Sequence, residues 1–312
     1  MQRLFRTVPL YLWWLLIWCI SKVYQLTFKH EKTVWELFWD KTLTFFDNDE
    51  FKLFVYGILF ASSIASVSAV SIYSYFDFSQ KPAFIRKYKV NPNTNEPPDF
   101  KQFIKALMYS SITGITFLVP NLIFTYYGLQ WRGMPALYPL PDIFTVLISC
   151  FMNDHIVDIG TYIAHRTLHH KLLYKHIHKK HHEYKSTIAV AVIYSHPIEH
   201  IFSHLLPLAF GMIIIRCHIA TAWISIMAFM ISSTINHSGY HLPFLNSPEY
   251  HDFHHVKFDS NYSGFGLMDW IFGTDKLYKN SIHRQRDRLL VSLKSAHELY
   301  PKEKNEKNGK ML

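Results

Sequence analysis

The stretch FKLFVYGILFASSIASVSAVSIYSYFD, residues 51–77, carries no charge between Lys52 and Asp77. A helix rises about 1.5 Å per residue, so a run of this length crosses the ~30 Å hydrocarbon core of a bilayer. Working outward, ALMYSSITGITFLVPNLIFTYYGLQW (106–131) is uncharged throughout. IFTVLISCFMN (143–153) is apolar and runs on through a more polar stretch toward His165. Residues 205–215 and 219–235 are apolar on either side of Arg216 and His218. Apolar runs near twenty residues read as transmembrane helices, and buried globular helices are the weaker reading. The expected fold class is all-α, a polytopic membrane helical bundle. No repeat, low-complexity tract or long linker divides the 312 residues. One membrane-embedded domain is therefore expected over 51–280, after an N-terminal anchor and lumenal segment (1–50) and before a basic tail (281–312).

LYLWWLLIWCI (10–20) follows Arg3 and Arg6 and is short for a span. No small-residue cleavage site follows it, so an uncleaved anchor or interfacial helix is expected over a signal peptide. Loop charges set orientation, because basic residues stay on the cytosolic side. Residues 22–50 hold four lysines against six acids and read as lumenal. The loop 78–102, the lysine-rich segment 166–185 and the tail read as cytosolic. The stretch 186–236 is then a hairpin that enters the bilayer and returns near Arg216 and His218. A net charge of +9 admits nucleic acid as a partner, but these basic residues flank spans, so orientation and anionic lipid account for them. No nucleic-acid partner is expected. Cys19, Cys150 and Cys217 lie in apolar segments and are expected as buried thiols, neither a zinc knuckle nor a disulfide framework.

Seventeen of the twenty histidines fall between residues 155 and 255, and ten of them form four strings. These are HRTLH (His165, His169), HKKHH (His178, His181, His182), HSGYH (His237, His241) and HDFHH (His251, His254, His255). Side chains three or four apart share a helix face, so each string can aim its rings at one point. Imidazole suits iron and zinc, and ten such ligands are too many for one ion. The bundle is therefore expected to carry a cytosolic His-rich bimetal cap. His170 and His176 are off the spacing and read as solvent-facing.

Imidazole is neutral, so a site built from it leaves the charge of two metals largely uncompensated and favours an anionic oxygen ligand. Redox-active iron there can activate O2 against an inert C–H bond. Zinc can occupy the same ligands but cannot by itself perform a redox step. The competing chemistry is Lewis-acid hydrolysis. HExxH and G-x-S-x-G are both absent, which removes support for a glutamate-based zinc protease or a serine hydrolase. Carboxylates that fix imidazole tautomers are sought at Asp158, seven residues before His165, at Glu183 after His182, and at Asp252 inside HDFHH. In SHPIEH, Pro197 can start a helix. His196, Glu199 and His200 there read as structural first and as substrate contacts second.

The strings HRTLH, HKKHH and HDFHH resemble the three histidine boxes of the fatty acid hydroxylase superfamily, which includes sterol desaturases and 4-methylsterol oxidases. KHIHKKHHEY, YSHPIEH, INHSGYHLPFLNSPEYHDFHHVKF and the late FGTD extend the likeness over roughly residues 80–280. The resemblance implies a multi-pass endoplasmic-reticulum protein with two iron ions, O2 as oxidant, and electrons from NAD(P)H through cytochrome b5 or a similar carrier. It implies a lipid substrate, and it assigns the ligand role to His165, His169, His178, His181, His182, His251, His254 and His255. His237 and His241 match an additional pair of hydroxylase members. The methylsterol oxidases carry Asp where this chain has His241, which leaves a 4-methylsterol substrate open. An O2-dependent lipid hydroxylase or oxidase is the leading reading. A membrane metal transporter should hold its ligands near the bilayer midplane, whereas these follow the spans among lysines. A catalytically silent regulatory member is the remaining alternative.

Overall fold

The structure, a computed structural model, describes residues 8–28 and 31–301. Arg3, Arg6 and the tail beyond 301 lie outside the described residues. Helix α1 (Val8–Phe28) runs through the apolar 10–20 stretch and eight residues further. Tyr11 packs with Val146, Cys150 and Ile224, and its hydroxyl donates to Asp154. Cys19 is exposed on α1, unlike buried Cys150 and Cys217, so the reading of three buried thiols is corrected: an outward face of α1 meets none of the bundle.

Helix α2 (Val34–Phe45) opens with a capping box. The Thr33 hydroxyl accepts from Glu36 N, and the Glu36 carboxylate accepts from Thr33 N at 2.7 Å. Among the described residues, five helices are long and apolar enough to cross a membrane: α3 (Lys52–Ser79), α4 (Phe100–Trp131), α5 (Ile143–Leu168), α6 (Pro197–Ile215) and α7 (Ile219–Ser238). Asp99 caps α4, and Asp142 caps α5 through Phe144 N and Thr145 N. Arg216, at φ 53°, ends α6, and His218 caps α7, which makes the expected hairpin. Exposed Phe60, Ile64, Met108, Ile112, Phe144 and Ile148 give these helices an apolar outer surface suited to lipid.

α3 packs along α7, and α5 along α6. At Gly211 of α6 an added Cβ would sit 2.2 Å from Asn153 Oδ1 of α5, so a larger residue there would require the Asn153 side chain to shift. The largest apolar cluster joins Trp39, Leu53, Phe54, Leu122, Met212 and Trp223, where α3 and α7 begin and α4 and α6 end. At the opposite ends, where α5 and α7 finish and α6 starts, segments 169–196 and 239–301 build a cap. Short helices α8 (Glu249–Lys257) and α9 (Leu267–Phe272) belong to it. Buried Lys89 clamps the cap to α3: its Nζ is 2.6 Å from Asp77 Oδ1, which also accepts from Tyr240 Oη at 3.0 Å. No strand is present among the described residues, only one antiparallel bridge between Lys89 and Tyr240.

Candidate metal centre

Nine of the ten string histidines meet in two groups. His165, His169, His178, His182 and His254 form one, and His181, His237, His251 and His255 the other; within each, the candidate ligand atoms lie within 4.8 Å of one another. The strings do not map one to one onto the groups. HKKHH is a 3-10 helix (His178–Glu183), and it sends His178 and His182 to the first group and His181 to the second. HDFHH lies on α8 and sends His254 to the first group and His251 with His255 to the second. The groups adjoin through these vicinal pairs, with the rings of His182 and His255 4.6 Å apart.

The backbone sets the tautomers. His165 Nδ1 donates to Tyr262 O (2.6 Å), His254 Nδ1 to Ser260 O (2.7 Å), His255 Nδ1 to Tyr184 O (3.0 Å) and His237 Nδ1 to Ser233 O (2.9 Å). A neutral ring with Nδ1–H has a bare lone pair on Nε2. Yet the Nε2 atoms crowd together: His165 to His178 at 3.0 Å, His182 to His178 at 2.9 Å, His251 to His237 at 2.9 Å and His255 to His251 at 3.0 Å. Lone pairs at that spacing repel unless a cation sits among them. The donor sets therefore fit two metal ions held through Nε2. Burial first, and neighbouring imidazoles second, hold His178, His181, His251 and His254 well below the ordinary histidine pKa. His169 is pushed down to about 2 by the same causes. The rings are thus neutral and ready to ligate at physiological pH.

His241 is a correction. It lies outside both groups, and its Nε2 donates to the Arg288 carbonyl at 2.9 Å. The spacing assumed one continuous helix through HSGYH. Gly239 stops α7 with φ +72°, and Val90 N donates to Gly239 O while His241 N donates to Tyr88 O. The chain after Gly239 is extended, which turns the His241 ring away from His237.

The proposed supporting carboxylates are also redistributed. Glu199, read first as structural, places Oε2 2.8 Å from His178 Nδ1 and lines a cavity that His165, His181, His237 and His251 also line. His196 caps α6, its Nδ1 accepting from Ile198 N. Asp158 accepts from Phe265 N at 2.8 Å and so holds the loop whose Tyr262 carbonyl orients His165. Asp252 accepts from Asn91 and Thr187 and ties α8 to the cap. Glu183 is exposed and accepts from the Tyr194 hydroxyl. Asp269, which the sequence reading missed, shapes residues 262–274 by accepting from Tyr262 N, Ser263 N and Thr274 Oγ1. Its cue was the glycine-rich turn NYSGFG that needs such an anchor. His170 and His176 are exposed, as expected.

The fatty acid hydroxylase family model matches residues 150–274, which contain all four strings. Fatty acid hydroxylase domain-containing protein 2 of Homo sapiens is 36% identical over 272 residues, covering 86% of this chain and 80% of its own length. The chain belongs to the fatty acid hydroxylase family. Fatty acid hydroxylase ahd1 of Mycosarcoma maydis is 36% identical over 222 residues, 70% of this chain and 56% of that protein. Methylsterol monooxygenase 2-2 of Arabidopsis thaliana is 31% identical over 217 residues, 65% of this chain and 80% of that protein. No solved structure matches the chain. The resemblance drawn from the histidine boxes is thus borne out at the family level.

Proposed function

We propose that this chain is a membrane-bound di-iron oxygenase that oxidises a C–H bond of a sterol or other lipid, drawing electrons from NAD(P)H through a cytochrome b5-type carrier. The observation that supports it is the pairing of two adjoining all-imidazole groups with a cavity of about 120 Å³ between α5, α6 and α7. His165, His181, His237 and His251 all line that cavity, so both groups open onto it. Two bound iron ions would supply O2 activation there. The protein's own part is positional. Backbone carbonyls point Nε2 of His165, His237, His254 and His255 inward, and Glu199 Oε2 lies 2.8 Å from Nδ1 of His178, on the side of that ring away from Nε2. Val157, Leu205, Leu208 and Phe229 keep the chamber dry.

The proposed setting is the endoplasmic-reticulum membrane with the cap toward the cytosol, supported by the lysine-rich 166–185 segment. A soluble electron carrier would then reach the cap. The test is turnover of a membrane-lipid extract with 18O2, NADH, cytochrome b5 and its reductase. A lipid product carrying one 18O atom, absent for the His178→Ala, His182→Ala double variant, is expected. Oxidant-independent product or none from any lipid fraction contradicts the reading and favours a silent regulatory member.

A further inference from the structure

The chamber beside the metals, at about 120 Å³, is smaller than the ~300–1,000 Å³ of ordinary ligand pockets. A second cavity of about 320 Å³ lies between α3 and α4. Val192, Ile193, His200, Leu205 and Met230 line both. The second cavity is apolar but carries serines, among them Ser62, Ser66, Ser110 and Ser111. A serine in a helix ordinarily bonds a carbonyl one turn back, as Ser111 does to Leu107. The Ser110 hydroxyl, though only 8% exposed, has no partner.

At the junction stands His200. It is 4% exposed, belongs to neither metal group, and neither ring nitrogen has a hydrogen-bond partner. It lies on the π-helical stretch His200–Leu205 of α6, a wide-turn geometry that recurs at functional sites. A buried imidazole without partners is costly unless a ligand supplies them. The ligand chemistry is restricted by charge. No lysine or arginine lines either cavity, and the charged residues there are Asp154, Asp158 and Glu199. A carboxylate or phosphate head at His200 would find no basic side chain to offset its desolvation, with Glu199 the adjacent residue. A hydroxyl can both donate to and accept from a neutral imidazole.

We propose that the α3–α4 cleft admits a neutral lipid alcohol from the bilayer and that His200 hydrogen-bonds its hydroxyl beside the metals. This rests on the lipid-oxygenase reading and narrows its substrate class to an uncharged alcohol. Gly114 offers a clean plug: an added Cβ there meets only Ile193 Cγ2 at 4.0 Å, so a larger side chain projects into the cleft without displacing backbone.

The test is equilibrium binding of tritiated 1-octadecanol, octadecane and octadecanoic acid to the purified full chain in detergent, without reductant. Wild-type protein is expected to bind the alcohol about tenfold tighter than the alkane or the acid, the size of one buried hydrogen bond. His200→Phe should erase the preference for alcohol over alkane, and His200→Gln, which keeps a donor and an acceptor, should retain most of it. Gly114→Phe should weaken alcohol and alkane alike by about tenfold. Equal or tighter binding of the acid by wild type, an intact preference in His200→Phe, or unchanged binding in Gly114→Phe overturns the proposal. Should His200→Phe fail to fold, the glutamine and Gly114 variants still decide. Metal content of the same preparations reports separately on the oxygenase reading: two metals with no alcohol preference sinks only this inference.

Discussion

His237 and His241 share a string and end in different places, and the cause is the single glycine between them. Because His241 donates to the Arg288 carbonyl and is 1% exposed, its role is to hold residues 239–241 and 288 together. His241→Ala is expected to keep both metals while losing about 1–3 kcal/mol of stability, from a carbonyl left unmet. Metal analysis alongside thermal unfolding checks this, and loss of one metal with unchanged stability would return His241 to the ligands. Glu199 is the converse case, a residue whose weight the sequence understated. A glutamate in an apolar segment has no periodic signature, and only the fold brings it 2.8 Å from His178 Nδ1. Glu199→Gln should lower metal affinity about 10–100-fold, the usual cost of losing an orienting partner. Chelator competition measures that, and an unchanged affinity would make Glu199 a packing residue.

Among the elements, the membrane helices were legible and the cap was not. Long uncharged runs leave few alternatives to a helix, so α3 and α4 follow from their composition, and α7 runs only three residues past the apolar stretch 219–235. Helical spacing named the histidines but misassigned their grouping. On the 3-10 turn His178–Glu183, and on α8, neighbouring rings at positions 181/182 and 254/255 diverge to opposite metal groups. That divergence depends on how two short elements face each other, which no local pattern encodes. The carbonyls of Ser233, Ser260 and Tyr262 are equally invisible, since every residue has one. The end of α7 gives a test at this scale. Gly239 has φ +72°, and a Cβ there would lie 2.9 Å from Thr187 O. Gly239→Ala should therefore cost at least about 1 kcal/mol, from left-handed strain alone. An unaltered unfolding midpoint would mean that the bridge to residues 88–90 does not need this turn.

For the whole molecule, five spans and a cap account for how strings 54 residues apart converge, because the α6–α7 hairpin returns the chain to the same membrane face. Orientation is a separate matter, and one natural reporter is closed. Asn261, in the sequon NYS, is fully buried and donates to Tyr250 O, so a glycan there is incompatible with this fold on either side of the membrane. Lys175, exposed in the cap, is the better site. A protease site inserted there should be cut by protease added outside sealed endoplasmic-reticulum vesicles, and protection until detergent is added contradicts the cytosolic assignment. The central claim is that two histidine groups hold two metals. Metal counting on protein purified without oxidation tests it most directly. Two irons per chain are expected for the wild type, and one each for the pairs His165→Ala with His254→Ala and His237→Ala with His251→Ala. A wild-type chain holding one ion or none, or either pair of substitutions leaving two, would contradict it.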